Sequence, residues 1–305
     1  MQSAWRVIDC TNLDGQLKYA RGRLVVRKFD SGEENQVTDL PLADIAILLI
    51  GLRCNCSAGL LHQCAENGVC VMVCDWRWVP IAAMHSWATT HTRITSRQRA
   101  QVAMTIPRQK NAWERIVKNK IFGQAACLDL LGIEGGNSLR GLGESVRSGD
   151  LGNVEGRAAR EYWKRMFPGE NGFKRLPGSG EGRNAQLDYG YMVLRGFATK
   201  AVISAGLNPS LGVNHHSGAN YFCLVDDLIE VFRPTVDVKV ARLSPAQQVA
   251  DRDVKHYLVE SVNRQFNGSG FTIPSVLNDF AQQYGECMRK AKSINYKFLN
   301  SRRNN

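Results

Sequence analysis

Hydrophobic and polar residues alternate along most of the first 80 residues, a period typical of β-strands with one face on a core. Two further segments, DIAILLIG and VCVMVCD, are apolar at nearly every position and predict buried strands. The alternating segments are SAWRVIDC, QLKYARGRLVVRKF with a turn near Arg21-Gly22, and NQVTDLPL. The pattern therefore predicts a small β-rich N-terminal domain over residues 1–80.

Helical periodicity replaces this alternation from about residue 95, after an expected linker at 81–95. Earlier in the chain, only residues 57–68 predict a helix, with Ser57 as N-cap and Gly68 as C-cap. Pro107 marks a break or a helix start in the long pattern at 97–132. Further helical patterns occupy 153–167, 184–206, 222–240 and segments beyond 245.

Two glycine-rich segments, GIEGGNSLRGLGES and LPGSGEGRN, interrupt the helical patterns. Neither has the residue order of a phosphate-cradling loop, and neither joins a strand to a helix, so both are predicted to be connectors. The sequence thus predicts an α+β fold, in which a larger all-α domain over residues 96–305 follows the β-rich domain.

The charge balance favours a polyanionic partner. Thirty-nine Lys and Arg residues against 28 Asp and Glu give a net charge of +11, which suits nucleic acid, although anionic membrane surfaces and acidic proteins also attract basic proteins. The longest aliphatic run, IAILLIGL, is far too short to span a membrane, and the N-terminus has no secretion signal. We therefore expect a cytoplasmic protein with no membrane partner.

Cysteines raise the question of a zinc site. Nine are present, and without a signal sequence we expect reduced thiols. Five of them lie close together with His62, but no C-x-x-C pair occurs, so small buried hydrophobic side chains are the favoured interpretation. These five are Cys54, Cys56, Cys64, Cys70 and Cys74.

The segment VDDLIEVFRP places three carboxylates on an otherwise apolar helix. Asp227 and Glu230 share a face, and Asp226 lies in the adjoining row. Uncompensated burial of such groups costs about 2–7 kcal/mol. Three explanations are open. The carboxylates pair with Arg or Lys, they lie on a face exposed to solvent, or they form a functional site. Pro234 predicts a kink in this helix.

Two other segments carry candidate metal ligands. Glu155 lies in the first turn of a helix that Asn153 caps, on the face that packs, although a first-turn glutamate is also favoured by the helix dipole alone. The pair His215-His216 directly precedes the acidic helix. One imidazole with two or three carboxylates suits Mg²⁺ or Mn²⁺ better than structural zinc. In a basic protein, such a site suits phosphodiester chemistry.

Basic residues with interleaved aromatic residues predict a nucleic-acid track, although charge runs are more often solvated faces. Arg233 has further possible roles, because it could orient one carboxylate or form a plain ion pair. The predicted DNA-binding residues are Arg93, Arg97, Arg99, Arg157, Arg160, Lys164 and Arg233.

Four motifs occur in a fixed order: NVEGRAAREYW, NAQLDYGYMVL, GLNPSLGVNHH and LVDDLIEVFRPTVD. In wording and spacing they resemble the CRISPR-associated Cas-one (Cas1) family, the integrases of spacer acquisition. The resemblance covers nearly the whole chain, including LPLADIAILLIG. NAQLDYGY and the short loops are most similar to the type II subtype, which accompanies the Cas-nine effector.

This resemblance implies a β-sandwich-like N-terminal domain, a helical catalytic domain and a homodimer. Its expected partners are double-stranded DNA (protospacer and CRISPR repeat) and a dimer of Cas-two (Cas2), with effector and accessory adaptation proteins as further candidates. The 3′-hydroxyl ends of a short duplex would attack phosphodiester bonds at the repeat. The family's catalytic and metal-binding positions fall on Glu155, His215 and Glu230, with Asp227 as a further metal ligand. His216 remains an alternative to His215.

Two other functions are compatible with these residues. One is an architectural nucleic-acid binder without catalysis, in which Arg and Lys merely pair with the carboxylates. The other is a zinc hydrolase built on His215, His216 and Asp227.

Overall fold

The computed structural model describes residues 6–29, 37–76, 80–84, 86, 93–170, 172–262, 265–266 and 270–290 of the chain. These fall into two units, Met1–Thr92 and Arg93–Asn305. The first unit is built on β-sheets and the second is mostly helical, which confirms the mixed fold. In the described residues, no helix is long and apolar enough to cross a membrane.

Eight strands form two four-stranded sheets in the described part of the first unit. They are β1 (Arg6–Cys10), β2 (Gly15–Ala20), β3 (Arg23–Lys28), β4 (Val37–Pro41), β5 (Ile45–Ile50), β6 (Cys54–Cys56), β7 (Cys70–Cys74) and β8 (Pro80–Met84). One sheet has the order β1-β5-β7-β8, with only β8 antiparallel to its neighbour. The other has the order β4-β3-β2-β6, with only the β2–β6 pair parallel.

Both sheets and the short helix α1 (Ala58–Glu66) share one hydrophobic core. Strand β5 is buried at every position, as its unbroken apolar sequence predicted. Core residues from the remaining elements include Leu17 of β2, Leu24 of β3, Leu60 of α1 and Val71 of β7. Of the five clustered cysteines, Cys64, Cys70 and Cys74 are buried as predicted, whereas Cys54 and Cys56 are only partly buried.

Two predicted boundaries in this unit need correction. Ser57 caps α1 as expected, since its hydroxyl accepts a hydrogen bond from the Leu60 N–H at 3.2 Å. The C-cap is Asn67, however, and Gly68 follows it in the left-handed region at φ 64°. Strand β8 occupies part of the interval 81–95 expected to be a linker, because it pairs with β7 and completes that sheet.

Nine α-helices lie in the described part of the second unit: α2 (Ile94–Val102), α3 (Ile106–Leu130), α4 (Gly136–Ser145), α5 (Val154–Met166), α6 (Gly182–Ser204), α7 (Cys223–Ile229), α8 (Arg233–Ala241), α9 (Arg252–Glu260) and α10 (Ile273–Lys290). Helix α6 is buried along most of its length and packs against α7, α8, α9 and α10. An isolated antiparallel bridge joins Gln265 to Thr272. The predicted all-α character is therefore confirmed only in the coarser sense of a mostly helical unit.

The first glycine-rich segment is a helix, not the predicted connector. Leu139 of α4 is buried, and Gly143 lies so close to Phe122 of α3 that a Cβ there would be 2.6 Å from the ring. This close approach stabilises α4 despite the low helix propensity of glycine. The second glycine-rich segment stays outside helices up to residue 181, and Gly178 and Gly180 have positive φ.

Prolines start two helices that matter for the site. Pro107 lies in the first turn of α3 and Pro234 in the first turn of α8, where the missing N–H costs little. The acidic segment is therefore two helices rather than one kinked helix: α7 ends at Ile229 and α8 begins at Arg233. The break leaves Glu230 at the C-cap of α7.

A buried carboxylate links three helices below this break. Asp237 of α8 accepts hydrogen bonds from the hydroxyls of Tyr162 in α5, at 2.8 Å, and Tyr191 in α6, at 2.5 Å. Burial raises the pKa of Asp237 to about 6, although both hydroxyl hydrogen bonds oppose the rise. The contact between Asp237 and the two tyrosines was not predicted from the sequence.

This pKa generates a prediction about stability. Between about pH 4 and pH 6 the folded chain holds a proton on Asp237 that the unfolded chain has released, so this group's contribution to stability falls as pH rises. The difference in unfolding free energy between wild type and Asp237→Asn should decrease over that range by an amount on the order of 2 kcal/mol. Urea unfolding at each pH measures it, with exposed Asp253→Asn as the control. A constant difference would contradict the expectation.

Candidate active site

Glu155 is positioned by an unusually well-capped helix start. Asn153 adopts the left-handed conformation at φ 46°, and its side chain accepts a hydrogen bond from the Gly156 N–H at 3.2 Å. The Asp150 carboxylate accepts two more, from the N–H groups of Val154 at 2.9 Å and Glu155 at 3.0 Å. Capping of this kind fixes the first turn of α5, and it aims Glu155 at helix α3.

Glu230 reaches the same place from the break between α7 and α8. Its side chain is only 5% exposed, and its Oε1 lies 3.2 Å from Nη1 of Arg233. Its Oε2 lies 2.6 Å from Nζ of Lys120 but has no partner with hydrogen-bond geometry. One oxygen of this buried carboxylate is therefore satisfied by charge alone.

Lys120 of α3 joins the two glutamates. Its ammonium donates to Oε1 of Glu155 at 2.6 Å while it contacts Oε2 of Glu230 at the same distance. Burial disfavours the ammonium, but the two carboxylates outweigh burial and raise the pKa of Lys120. Burial also works against the Glu230 carboxylate, yet Arg233 and Lys120 lower its pKa. Lys120 and Glu230 are therefore both charged, and the structure brings Glu155 and Glu230 to the same ammonium.

His215 lies beside this cluster. Its Nδ1 is 2.5 Å from Oδ1 of Asp227, and its ring meets Trp113 of α3 edge-on at 5.9 Å between centroids. The Asp227 hydrogen bond is the main cause of the raised pKa of His215, and Glu230 contributes. With Nδ1 engaged, Nε2 is the nitrogen left to bind a ligand. Both histidines are exposed, and the contact with Asp227 is what favours His215 over His216 as the site residue.

Asp227 organises the loop that carries His215. Its Oδ2 accepts hydrogen bonds from the N–H groups of Val213 at 2.6 Å and Asn214 at 3.0 Å, while Oδ1 faces the imidazole. Gly212 permits this arrangement, because a Cβ there would lie 2.3 Å from the His215 carbonyl oxygen. These contacts favour a positioning role for Asp227 over its predicted role as a metal ligand, which stays a prediction.

The burial of Asp226 is explained by hydrogen bonds to neighbouring side chains. Its Oδ1 accepts a hydrogen bond from Nε of Arg195 at 2.8 Å, and its Oδ2 accepts one from Nδ2 of Asn220 at 2.9 Å. Pairing with Arg, the alternative considered for the whole stripe, is therefore correct for Asp226.

The donors present suit a hard divalent cation. Glu155, Glu230 and His215 supply carboxylate oxygens and one imidazole, and Oε2 of Glu230 already lies 2.6 Å from a positive charge without a hydrogen bond to fix it. Among the described residues, however, no three His, Cys, Asp or Glu side chains are already assembled to hold a metal. The ammonium of Lys120 lies between the two glutamates instead.

The predicted DNA-binding residues separate into two groups. Arg97 is 1% exposed, and its guanidinium donates to the Ala205 carbonyl at 2.6 Å and to Gln282 at 2.7 Å, so the structure removes it from the track. Arg233 pairs with Glu230 and lies over the Tyr191 ring, which supports the orienting role over a DNA contact. The exposed residues are Arg93, Arg99, Arg157, Arg160 and Lys164.

Sequence reasoning missed Lys120 as an individual. It is absent from the predicted site and DNA-binding residues, and its side chain is only 14% exposed. Trp113, Val117 and Gln124 recur with it at helical spacing, and all three are buried. This spacing was the available signal that Lys120 faces inward.

The zinc hydrolase is not supported by this geometry. It requires His215, His216 and Asp227 around one ion, but Oδ2 of Asp227 accepts backbone hydrogen bonds and its Oδ1 faces the His215 ring. In the part of the chain that the structure describes, the nine cysteines are thiols.

Known proteins agree with the motif resemblance. The sequence model of the family described as CRISPR associated protein Cas1 matches residues 10–264. The CRISPR-associated endonuclease Cas1 of Neisseria meningitidis serogroup C (strain 8013), from a type II system, is 32% identical over 302 residues, which cover 95% of each chain.

Solved structures show the same fold. A casposase bound to an integration product has a TM-score of 0.79 at 20% identity, over 97% of this chain and 93% of the casposase. A chain of a Cas6-RT-Cas1–Cas2 complex has a TM-score of 0.73 at 18% identity, over 97% of this chain and 37% of that one. From the family match and the identity to the Neisseria protein together, this chain belongs to the Cas1 family of CRISPR-associated proteins.

Proposed function

We propose that the chain is a DNA endonuclease and integrase that uses Mg²⁺ or Mn²⁺ to insert new spacers into a CRISPR array. The observation that carries the proposal is the convergence of Glu155 and Glu230 on one positive charge, with His215 beside them. Helices far apart in sequence bring these residues together, as a metal site for phosphodiester chemistry requires.

Each residue has a distinct part in the proposed reaction. Glu155, Glu230 and His215 would hold the divalent ion, which would offset charge on the phosphate and lower the pKa of the attacking hydroxyl. Asp227 fixes the imidazole so that Nε2 faces the ligand, and Arg233 fixes Glu230. In the reaction, a 3′-hydroxyl oxygen bonds to phosphorus while the P–O3′ bond of the repeat breaks, so the number of phosphodiester bonds is conserved.

The proposed substrate is double-stranded DNA, both protospacer and repeat. Arg157, Arg160 and Lys164 are three and four residues apart on α5, so they form one exposed basic stripe on the helix that carries Glu155. The casposase, solved with its integration product, supports DNA joining as the activity of this fold. Arg93 and Arg99 extend the candidate contacts.

We propose a homodimer that assembles with a Cas2 dimer, in line with the Cas1–Cas2 assembly named for one structural neighbour. Effector and accessory adaptation proteins are further proposed partners. Because the Neisseria relative is a Cas1 protein of a type II system, we propose that this chain also acts in a type II system.

One observation favours the architectural alternative. Lys120 and Arg233 already pair with Glu155 and Glu230, as expected if the carboxylates served only the fold. This alternative predicts salt-sensitive DNA binding without any joining of strands.

Replacement of one carboxylate separates these functions. With the cognate Cas2 and Mn²⁺, Glu230→Gln should lower the joining of a labelled 3′-hydroxyl duplex into a repeat-bearing plasmid by at least about 100-fold, because charge stabilisation at the phosphate is lost. DNA binding should be retained, and EDTA should abolish joining by wild type.

Glu114→Gln is the matched control, because Glu114 lies on α3 and pairs with Lys118 at 2.9 Å rather than with Lys120. It should join DNA as wild type does. Full Mn²⁺-dependent joining by Glu230→Gln would reject the proposed site, and absence of joining by wild type would favour the architectural function.

The basic stripe gives a second prediction. Replacing Arg157, Arg160 and Lys164 together with Gln should weaken duplex binding and reduce the slope of log affinity against log salt by about 0.9 for each lost phosphate contact. Arg252→Gln, an exposed change at the start of α9, serves as the control. Titrations by fluorescence anisotropy at several salt concentrations measure both slopes, and equal slopes for the triple variant and wild type would contradict the stripe.

A further inference from the structure

Lys120 occupies the point at which the two glutamates of the site meet. Its ammonium lies 2.6 Å from Oε1 of Glu155 and 2.6 Å from Oε2 of Glu230. We propose that Lys120 is an internal counter-ion that competes with the divalent metal for these two oxygens and thereby sets the metal affinity of the site. The inference rests on the proposed function, because it assumes that Glu155 and Glu230 bind metal.

Electrostatics makes occupancy by Lys120 and by metal mutually exclusive. An ammonium that touches both carboxylates would lie beside any cation bound to the same two oxygens, and repulsion at such short range is strong where water is scarce. Glu230 is 5% exposed and Lys120 is 14% exposed, so solvent screens the repulsion poorly. Metal binding therefore requires the ammonium to leave both oxygens.

The surroundings allow the ammonium to leave without disturbing the fold. Lys120 carries its charge on a flexible four-carbon stem, and Glu155, its hydrogen-bond acceptor, is 26% exposed. Arg233 remains on the other oxygen of Glu230, at 3.2 Å from Oε1. Glu230 thus keeps one fixed partner while Oε2 changes from ammonium to metal.

The same arrangement explains why the buried carboxylate of Glu230 is tolerated beside the partly exposed Glu155 without metal. Unpaired like charges at this distance would destabilise the chain or force protonation. Lys120 prevents both outcomes at the cost of weaker metal binding. If Lys120 were purely structural, its removal would lower stability without raising metal affinity. The metal affinity of a Lys120 variant therefore distinguishes the two roles.

The experiment compares the full-length chain with Lys120→Met and Lys118→Met, using MnCl₂ without DNA and electron paramagnetic resonance to count free Mn²⁺. Lys120→Met keeps the apolar stem and removes the competitor, so its Mn²⁺ affinity should exceed that of wild type by between about 5-fold and 150-fold, the usual range of coupling between two ligands. Lys118, two residues away, pairs with Glu114 and serves as the matched control. Lys118→Met should bind Mn²⁺ as wild type does.

Thermal melting provides a second readout. In EDTA, Lys120→Met should melt below wild type, since its carboxylates lack a counter-ion, and Mn²⁺ should raise its melting temperature by more than it raises that of wild type. Lys120→Arg keeps the charge if the Met variant does not fold. Its rigid guanidinium fork pairs carboxylates more firmly, so Arg should weaken Mn²⁺ binding at least about fivefold.

Equal or weaker Mn²⁺ affinity in Lys120→Met overturns the inference, as does equal or tighter affinity in Lys120→Arg. These results are independent of DNA joining. A wild type that binds Mn²⁺ yet fails to join DNA with Cas2 would reject the integrase, while tighter binding by Lys120→Met would still support the counter-ion.

Discussion

The positive charge between the side chains of Glu155 and Glu230 is the interaction on which this site depends. The two glutamates come from separate segments of the chain, and carboxylates brought this close repel each other unless a cation lies between them. In this structure the ammonium of Lys120 meets that requirement, at 2.6 Å from both. The contact joins α3, α5 and the junction of α7 with α8 at one point of the second unit.

Local contacts position each of the residues Glu155, Glu230 and His215. Asn153 and Asp150 fix the first turn of α5, and the break before Pro234 turns Glu230 toward α3. Asp227 holds the loop that presents His215, and Trp113 of α3 bounds the ring. Hydrogen bonds of this kind favour one arrangement of neighbouring segments. The site is thus built from rigid parts, with Lys120 as its most adaptable member.

The sequence predicted those features that depend on local pattern. Alternation and apolar runs identified β1 to β5 and β7 but not the short β6 or β8, and the helical period identified α3, α5 and α6. Spacing on a helix face singled out Glu155 and Glu230, and the structure brings them together. The motifs further identified the family, which neither composition nor charge could do.

Features that depend on packing between distant segments could not be predicted. The contact of Gly143 with Phe122 turns a glycine-rich segment into α4, and the carbonyl of Ala205 makes Arg97 a buried residue rather than a DNA contact. Local propensity contains no information about either partner. Lys120 is an intermediate case, because its helix face could be read from the sequence but its two acceptors could not.

The most direct test of the central claim asks which side chains surround a bound divalent ion. Pulsed electron paramagnetic resonance of Mn²⁺ detects coupling to an imidazole nitrogen. The proposed site predicts one Mn²⁺ per chain, with nitrogen coupling that disappears in His215→Asn and persists in His216→Asn, and loss of the ion when Glu155 and Glu230 are both replaced by Gln. Coupling that depends on His216, or an ion that survives the loss of both glutamates, would contradict it.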